Sequence, residues 1–174
     1  MLELRSTAEF LRASHITRWG IVQTARQQNI AEHQYRVWLL VQHWGSHAGL
    51  NVVEKRCAGQ LALIHDLPEI RTGDAPTPHK TPEIKAYLAG IERQILPELF
   101  HVERHASARV KDFIKFCDTA EAVLFLKVNG LGKHAADVQD LLEQQMIDRL
   151  SQSAIDPACQ RRLIECFIST KHDT

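Results

Sequence analysis

Residues 106–128 read ASARVKDFIKFCDTAEAVLFLKV and run into Asn129-Gly130. Phe113, Phe116, Cys117 and Ala120 recur at helical spacing, which predicts one long helix stopped by the Asn-Gly pair. Inside that apolar surround stands Asp118. A carboxylate is costly to bury without a partner, so this position calls for one.

Working outward, helical periodicity dominates. A helix is predicted from about Ile30 to Ala48, apolar at Val37, Leu40, Val41 and Trp44 and ended by Gly49. Asn51 is placed to cap the next one, with Val53, Cys57, Leu61 and Ile64 as its apolar face. Leu4, Ala8, Leu11 and His15 mark an opening helix, with Ser6 or Thr7 as its cap. Past Asp118, helices are predicted over about His134 to Gln152 and Pro157 to Thr170. Another runs from Pro82 to about Leu99, bent or ended by Pro97. The stretch from His15 to Asn29 breaks the pattern, as does Pro68 to Pro82, where Gly73-Asp74-Ala75-Pro76-Thr77-Pro78 makes a stiff loop. No run alternates apolar and polar residues long enough for a sheet. The prediction is an all-α protein, one domain over residues 1–174.

Composition narrows the class. Of 174 residues 44% are hydrophobic and 24% charged, which excludes collagen-like, low-complexity and disordered chains. Basic and acidic residues balance at 21 each, so no broad positive field points to nucleic acid. Cys57, Cys117, Cys159 and Cys166 form no C-x-x-C pair and read as reduced thiols. No apolar run approaches the ~20 residues of a membrane span. The charged start Met-Leu-Glu-Leu-Arg does not read as a signal peptide. A soluble cytoplasmic protein with neither nucleic-acid nor membrane partners is expected.

The chemistry lies in a dispersed set of polar residues. His33 falls near the start of its helix, His65-Asp66 follows the apolar run Leu61-Ala62-Leu63-Ile64, and Asp118 sits in the long helix. Two imidazoles and two carboxylates on three converging helices suit a divalent transition metal. If coordination positions stay open, such a site activates water at neutral pH. The dipeptide alone carries little weight, since His172-Asp173 repeats it at the C-terminus.

The series His33, His65-Asp66, Asp118 resembles the H…HD…D signature of the HD-domain metal-dependent phosphohydrolases. Arg18-Trp19, Asn29 to His33, and HDLPEIRTGDAPTP at 65–78 resemble more narrowly the YfbR-like 5'-deoxynucleotidases, whose motif reads HD-x-x-E-x-x-x-GD-x-P-T-P. The resemblance covers about residues 15–128 and implies an HD-domain helical bundle. It implies His33, His65, Asp66 and Asp118 as metal ligands, with Asp66 and Glu69 as catalytic residues and Glu69 orienting or deprotonating the attacking water. By the same resemblance Arg18 meets the phosphate, Trp19 packs on the sugar and excludes a 2'-hydroxyl, and Asp74 accepts from the 3'-hydroxyl. Thr77 and Lys80 are further candidates for phosphate contact.

Two activities occur in this group. Bacterial members release phosphate from deoxynucleoside monophosphates, whereas short phage-encoded members of the DatZ type hydrolyse dATP to deoxyadenosine and triphosphate. The short chain and Gly20-Ile21 after Trp19 favour the second. Ile21 is expected to crowd the 2-position of a purine, admitting adenine and rejecting a 2-amino group. The ligand set accepts Zn, Co, Mn or Fe, and a triphosphate brings room for additional Mg or Co. The family is dimeric or higher, so a homo-oligomer is expected. A silent nucleotide sensor and an all-α interaction module are the readings from other classes. Bound metal and hydrolysis separate them from an enzyme.

Overall fold

The long helix forms the spine of the fold. In the computed structural model, which describes residues 3–75 and 81–174, it spans Ala108–Asn129, with Ser107 accepting from Val110 N–H as its cap. This helix, α7, buries residues on every side. A helix apolar all round has to sit inside a domain. The helices around it are α2 (Ile30–Trp44), α3 (Val52–Ile64), α8 (Gly132–Ser151) and α9 (Pro157–Asp173). α2, α3 and α8 all pack on it, and α2 also packs on α3. Val37, Val41, Trp44, Leu61, Phe113, Phe116, Met146, Leu163 and Phe167 fill the space between them. Among the described residues there is no β-strand, only two isolated bridges, Thr17 with Asn29 and Thr24 with Gly130. All-α is the observed class.

Local chemistry sets the ends. Asn29 caps α2 by accepting from Glu32 N–H, and Asn51 with Glu54 forms a reciprocal capping box on α3. The opening segment is shorter and more broken than its pattern predicts. α1 covers Thr7–Phe10, boxed by Ser6 and Glu9, and passes into a 3₁₀ turn over Leu11–His15. Leu11 is exposed, and Phe10 and Ala13 face inward instead. Pro97 does divide the helix after Pro82: α5 runs Pro82–Ile95 and α6 Pro97–His105.

α3 corrects the sequence reading most. Val53 is 76% exposed, and the buried face is Ala58, Gly59, Leu61 and Ala62. The reason is the closeness of α2. A Cβ on Gly59 would lie 2.9 Å from Gln42 Nε2 and 3.4 Å from Trp38 Nε1. Small residues win that face because large ones cannot enter it.

A smaller apolar cluster (Leu4, Ala13, Ile30, Leu67, Ile70, Ile95, Leu96) anchors the N-terminus beneath α5, where Leu4 N–H donates to Ile95 C=O at 2.9 Å. A third one joins Val22 to Phe125, Leu126 and Ala135. All four cysteines are free, with Cys117 and Cys159 buried and the other two half-buried. No helix among the described residues is long and apolar enough to cross a membrane.

Candidate metal centre

Three helices bring the dispersed polar residues to one point. His33 lies one turn into α2 and is fully buried. His65 closes α3 as its C-cap, and Asp66 follows in a tight turn. That turn is held from α2: with its amide oriented to satisfy both groups, Gln34 accepts from Asp66 N–H at 3.2 Å and Leu67 N–H at 3.1 Å. Asp118 reaches in from the middle of α7.

Both imidazoles are oriented by their outer nitrogen. His65 Nδ1 lies 3.0 Å from Ala62 C=O, which can only accept, so Nδ1 carries the proton. His33 Nδ1 lies 2.5 Å from Glu121 Oε2. Each Nε2 is thereby turned inward, buried and without a hydrogen-bond partner. Around them Asp66 Oδ2 is 3.5 Å from each Nε2, while Asp118 Oδ1 is 3.1 Å from that of His33 and 3.9 Å from that of His65. Ligand atoms ~2.1 Å from a common ion are themselves about 3.0 to 3.4 Å apart. Two inward lone pairs facing two carboxylates at these distances fit a divalent cation. His33, His65 and Asp66 alone already bring their donor atoms within 4.8 Å of one another.

Charge reinforces this arrangement. Burial alone would raise the Asp118 pKa, but Lys115, His33 and His65 reverse the effect and hold it well below the usual carboxylate range. Asp66 is likewise held down against burial by His65, His33 and Arg18. Arg18 Nη1 donates to Asp66 Oδ2 at 3.0 Å, while its Nε is buried with no hydrogen-bond partner. Across the site Lys115 Nζ donates to Asp118 Oδ2 at 2.6 Å, with the lysine more than half exposed. One cation therefore flanks each carboxylate.

Glu69 starts the short helix α4 (Glu69–Thr72) and is buried. Its N–H donates to Asp66 C=O at 3.0 Å, so it stands one tight turn after the His65-Asp66 pair. Gly73 ends α4 at φ 73°, a conformation that suits glycine, and hands the chain to Asp74. Asp74 is close enough to Arg18 to favour its charged form. Trp19 sits at φ 66°, rare for so large a side chain. Its ring stacks on Phe125, centroids 5.8 Å apart and planes within 4°. Ile21, in the turn after it, is 44% exposed. Thr77 and Lys80 lie outside the described residues.

Sequence reasoning missed the residues behind this front. Glu121 is 1% exposed and holds His33, Gln28 and Arg36 at once. A charged residue three positions after Asp118, inside Ala120 to Leu126, was its only mark in the sequence. Gln28 and Gln34 carry no mark at all.

Helices that converge on an inward-facing His, His-Asp and Asp set define a known class. The HD domain family matches residues 10–160, and the chain belongs to that family of phosphohydrolases. Over 169 residues, 97% of both chains, it is 59% identical to the dATP triphosphohydrolase of cyanophage S-2L. The solved HD phosphohydrolase (DatZ) of that phage, bound to dA and one catalytic Zn²⁺ ion, superposes with a TM-score of 0.97. It is 58% identical, with 99% of this chain and 100% of that one covered. A 5'-deoxynucleotidase of Shewanella oneidensis is 27% identical, over 92% of this chain and 90% of its own.

Proposed function

We propose that the protein is a single HD domain over residues 1–174 that hydrolyses dATP to deoxyadenosine and triphosphate. The observation that carries this is the pair of buried, inward-facing Nε2 atoms beside two carboxylates, with the unbonded Nε of Arg18 next to them. The 59% identity to the cyanophage dATP triphosphohydrolase supports the choice of substrate.

His33, His65, Asp66 and Asp118 would hold a divalent ion, zinc by analogy with the cyanophage relative. When bound, such an ion polarises the phosphate oxygens and favours ionisation of water. The chain supplies the rest. Glu69, fixed one turn after Asp66, accepts the proton of the attacking water at its carboxylate. Water adds at the α-phosphorus, the bond from that phosphorus to the 5'-oxygen breaks, and the 5'-oxygen takes up a proton. Arg18 on one side and Lys115 on the other meet the negative charge of the phosphates. Trp19 presents its face to the deoxyribose, Asp74 accepts from the 3'-hydroxyl, and Ile21 borders the purine 2-position.

A homo-oligomer is inferred from the family resemblance. A native mass measurement reads its size.

The substrate is tested by incubating zinc-loaded protein with dAMP, dATP and ATP in parallel and identifying products. Triphosphate and deoxyadenosine from dATP, with ATP spared, is the expected outcome. Orthophosphate from dAMP with dATP untouched would make it a 5'-deoxynucleotidase, the alternative that the Shewanella relative favours.

A further inference from the structure

The tryptophan assigned to the sugar and the histidine assigned to the metal do not touch, yet one buried chain of hydrogen bonds joins them. Trp19 Nε1 donates to Gln28 Oε1 at 2.8 Å, and Gln28 Nε2 donates to Glu121 Oε1 at 2.8 Å. The other oxygen of Glu121 meets His33 Nδ1 at 2.5 Å. Gln28 is fully buried and Glu121 is 1% exposed, so water does not compete for these bonds.

Chemistry fixes the direction of the links through Gln28. An indole N–H can only donate, so Gln28 accepts from Trp19 with Oε1 and turns its Nε2 to Glu121. Arg36 Nε lies 3.0 Å from the Glu121 oxygen that Gln28 uses, so two donors meet on that one oxygen. Gln28 also works through its backbone, whose C=O accepts from Arg18 N–H at 2.8 Å. One residue therefore grips the Arg18 main chain, the Trp19 ring and the carboxylate behind His33. Trp19 needs such a grip, since a bulky residue at positive φ is strained and persists only where its surroundings over-determine it.

We infer that Gln28 and Glu121 are positioning residues that lock the sugar platform and the metal ligand into one unit, so that deoxyribose selectivity and metal affinity are coupled. This rests on the assignment of Trp19 to the sugar and His33 to the metal made above. Both residues lie buried behind Trp19 and His33. They act on which way Trp19 faces and on which imidazole nitrogen is bare, the outer partner that metal-binding histidines commonly require.

The test measures zinc affinity by competition with a chromophoric chelator, and separately the ratio of kcat/KM for dATP over ATP. Glu121→Gln is expected to weaken zinc binding by about 10- to 100-fold. Gln28→Leu is expected to weaken it by several-fold and to lower the dATP/ATP ratio by about tenfold, a loss the size of one positioning contact. Trp19→Phe removes the indole N–H together with the five-membered ring that carries it and keeps a six-membered aromatic ring to stack on Phe125. It is expected to weaken zinc binding too, and its effect with Gln28→Leu should be less than additive because both break the same bond. A merely structural role would move none of these selectively, and thermal melts show whether each variant is folded. A folded Gln28→Leu protein with zinc affinity and dATP/ATP ratio both within twofold of the parent would overturn the inference. So would unchanged zinc affinity in Trp19→Phe. The zinc arm does not depend on which nucleotide is hydrolysed. If Trp19→Ala leaves the ratio unchanged, the sugar assignment has failed, and the zinc arm still decides the link from Gln28 to His33.

Discussion

The two sides of the site are built in opposite ways. On the side proposed to hold the metal, His33 and Asp118 belong to long helices packed into the main core, and His65 caps a third. On the side proposed to take the substrate, Trp19, Ile21 and Asp74 lie on irregular chain, and Ile21 is nearly half exposed. Helices hold a ligand to within a few tenths of an ångström because many neighbours must move before it can. Loops hold a side chain by a few bonds. On the proposed reading the helices hold the chemistry, while the choice of substrate rests on irregular chain whose link to the core runs through Gln28.

Damage on the metal side should then end the chemistry, while damage on the substrate side away from the Trp19–Gln28 link should only redirect it. The largest effect is expected from Asp118→Ala, or from stripping the metal with a chelator: hydrolysis falls to background, and added zinc rescues only the chelated parent. Glu69→Gln comes next. It should keep zinc in a direct metal analysis while kcat drops by about 10² to 10⁴, the usual worth of a positioned base. Normal turnover in that variant would remove Glu69 from the reaction.

Phe113→Ala probes the core that supports Asp118. The ring is fully buried, so the substitution should cost about 3 to 5 kcal/mol of stability in a denaturant titration. The folded fraction should keep the parent's ranking of nucleotides. A changed ranking would mean that the two sides are less separable than their construction suggests. Ile21→Ala is the smallest test and the sharpest for selectivity. It should leave the melting temperature within about a degree and narrow the preference for dATP over 2-amino-dATP, which one apolar contact limits to ~1–3 kcal/mol.

The same division explains what was legible in the sequence. Helix periodicity located α2, α7, α8 and α9 to within a few residues because each buries a regular apolar stripe. The gathering of His33, His65, Asp66 and Asp118 was legible because their types stand out in apolar surroundings. α3 was misread because close packing rewards Ala58, Gly59 and Ala62 there, whereas a hydrophobicity pattern gives weight to Val53. Glu121 and Gln28 were missed for a different reason. Their meaning lies in partners 88 and 93 residues apart in the chain, and nothing local announces a pairing at that range.

One helix surface spans both sides. Asp118, Glu121, Phe125 and Asn129 follow one another on α7 at steps of three or four, facing in turn the metal site, the back of His33, the Trp19 ring and the loop at Ala25. At 1.5 Å per residue, the seven residues from Asp118 to Phe125 measure off about 10 Å. α7 is thus a ruler with its marks in phase. A single residue inserted between those two positions would rotate Phe125 by about 100° and carry it off the Trp19 ring. Descendants of this chain are free to lengthen their loops, but not that interval.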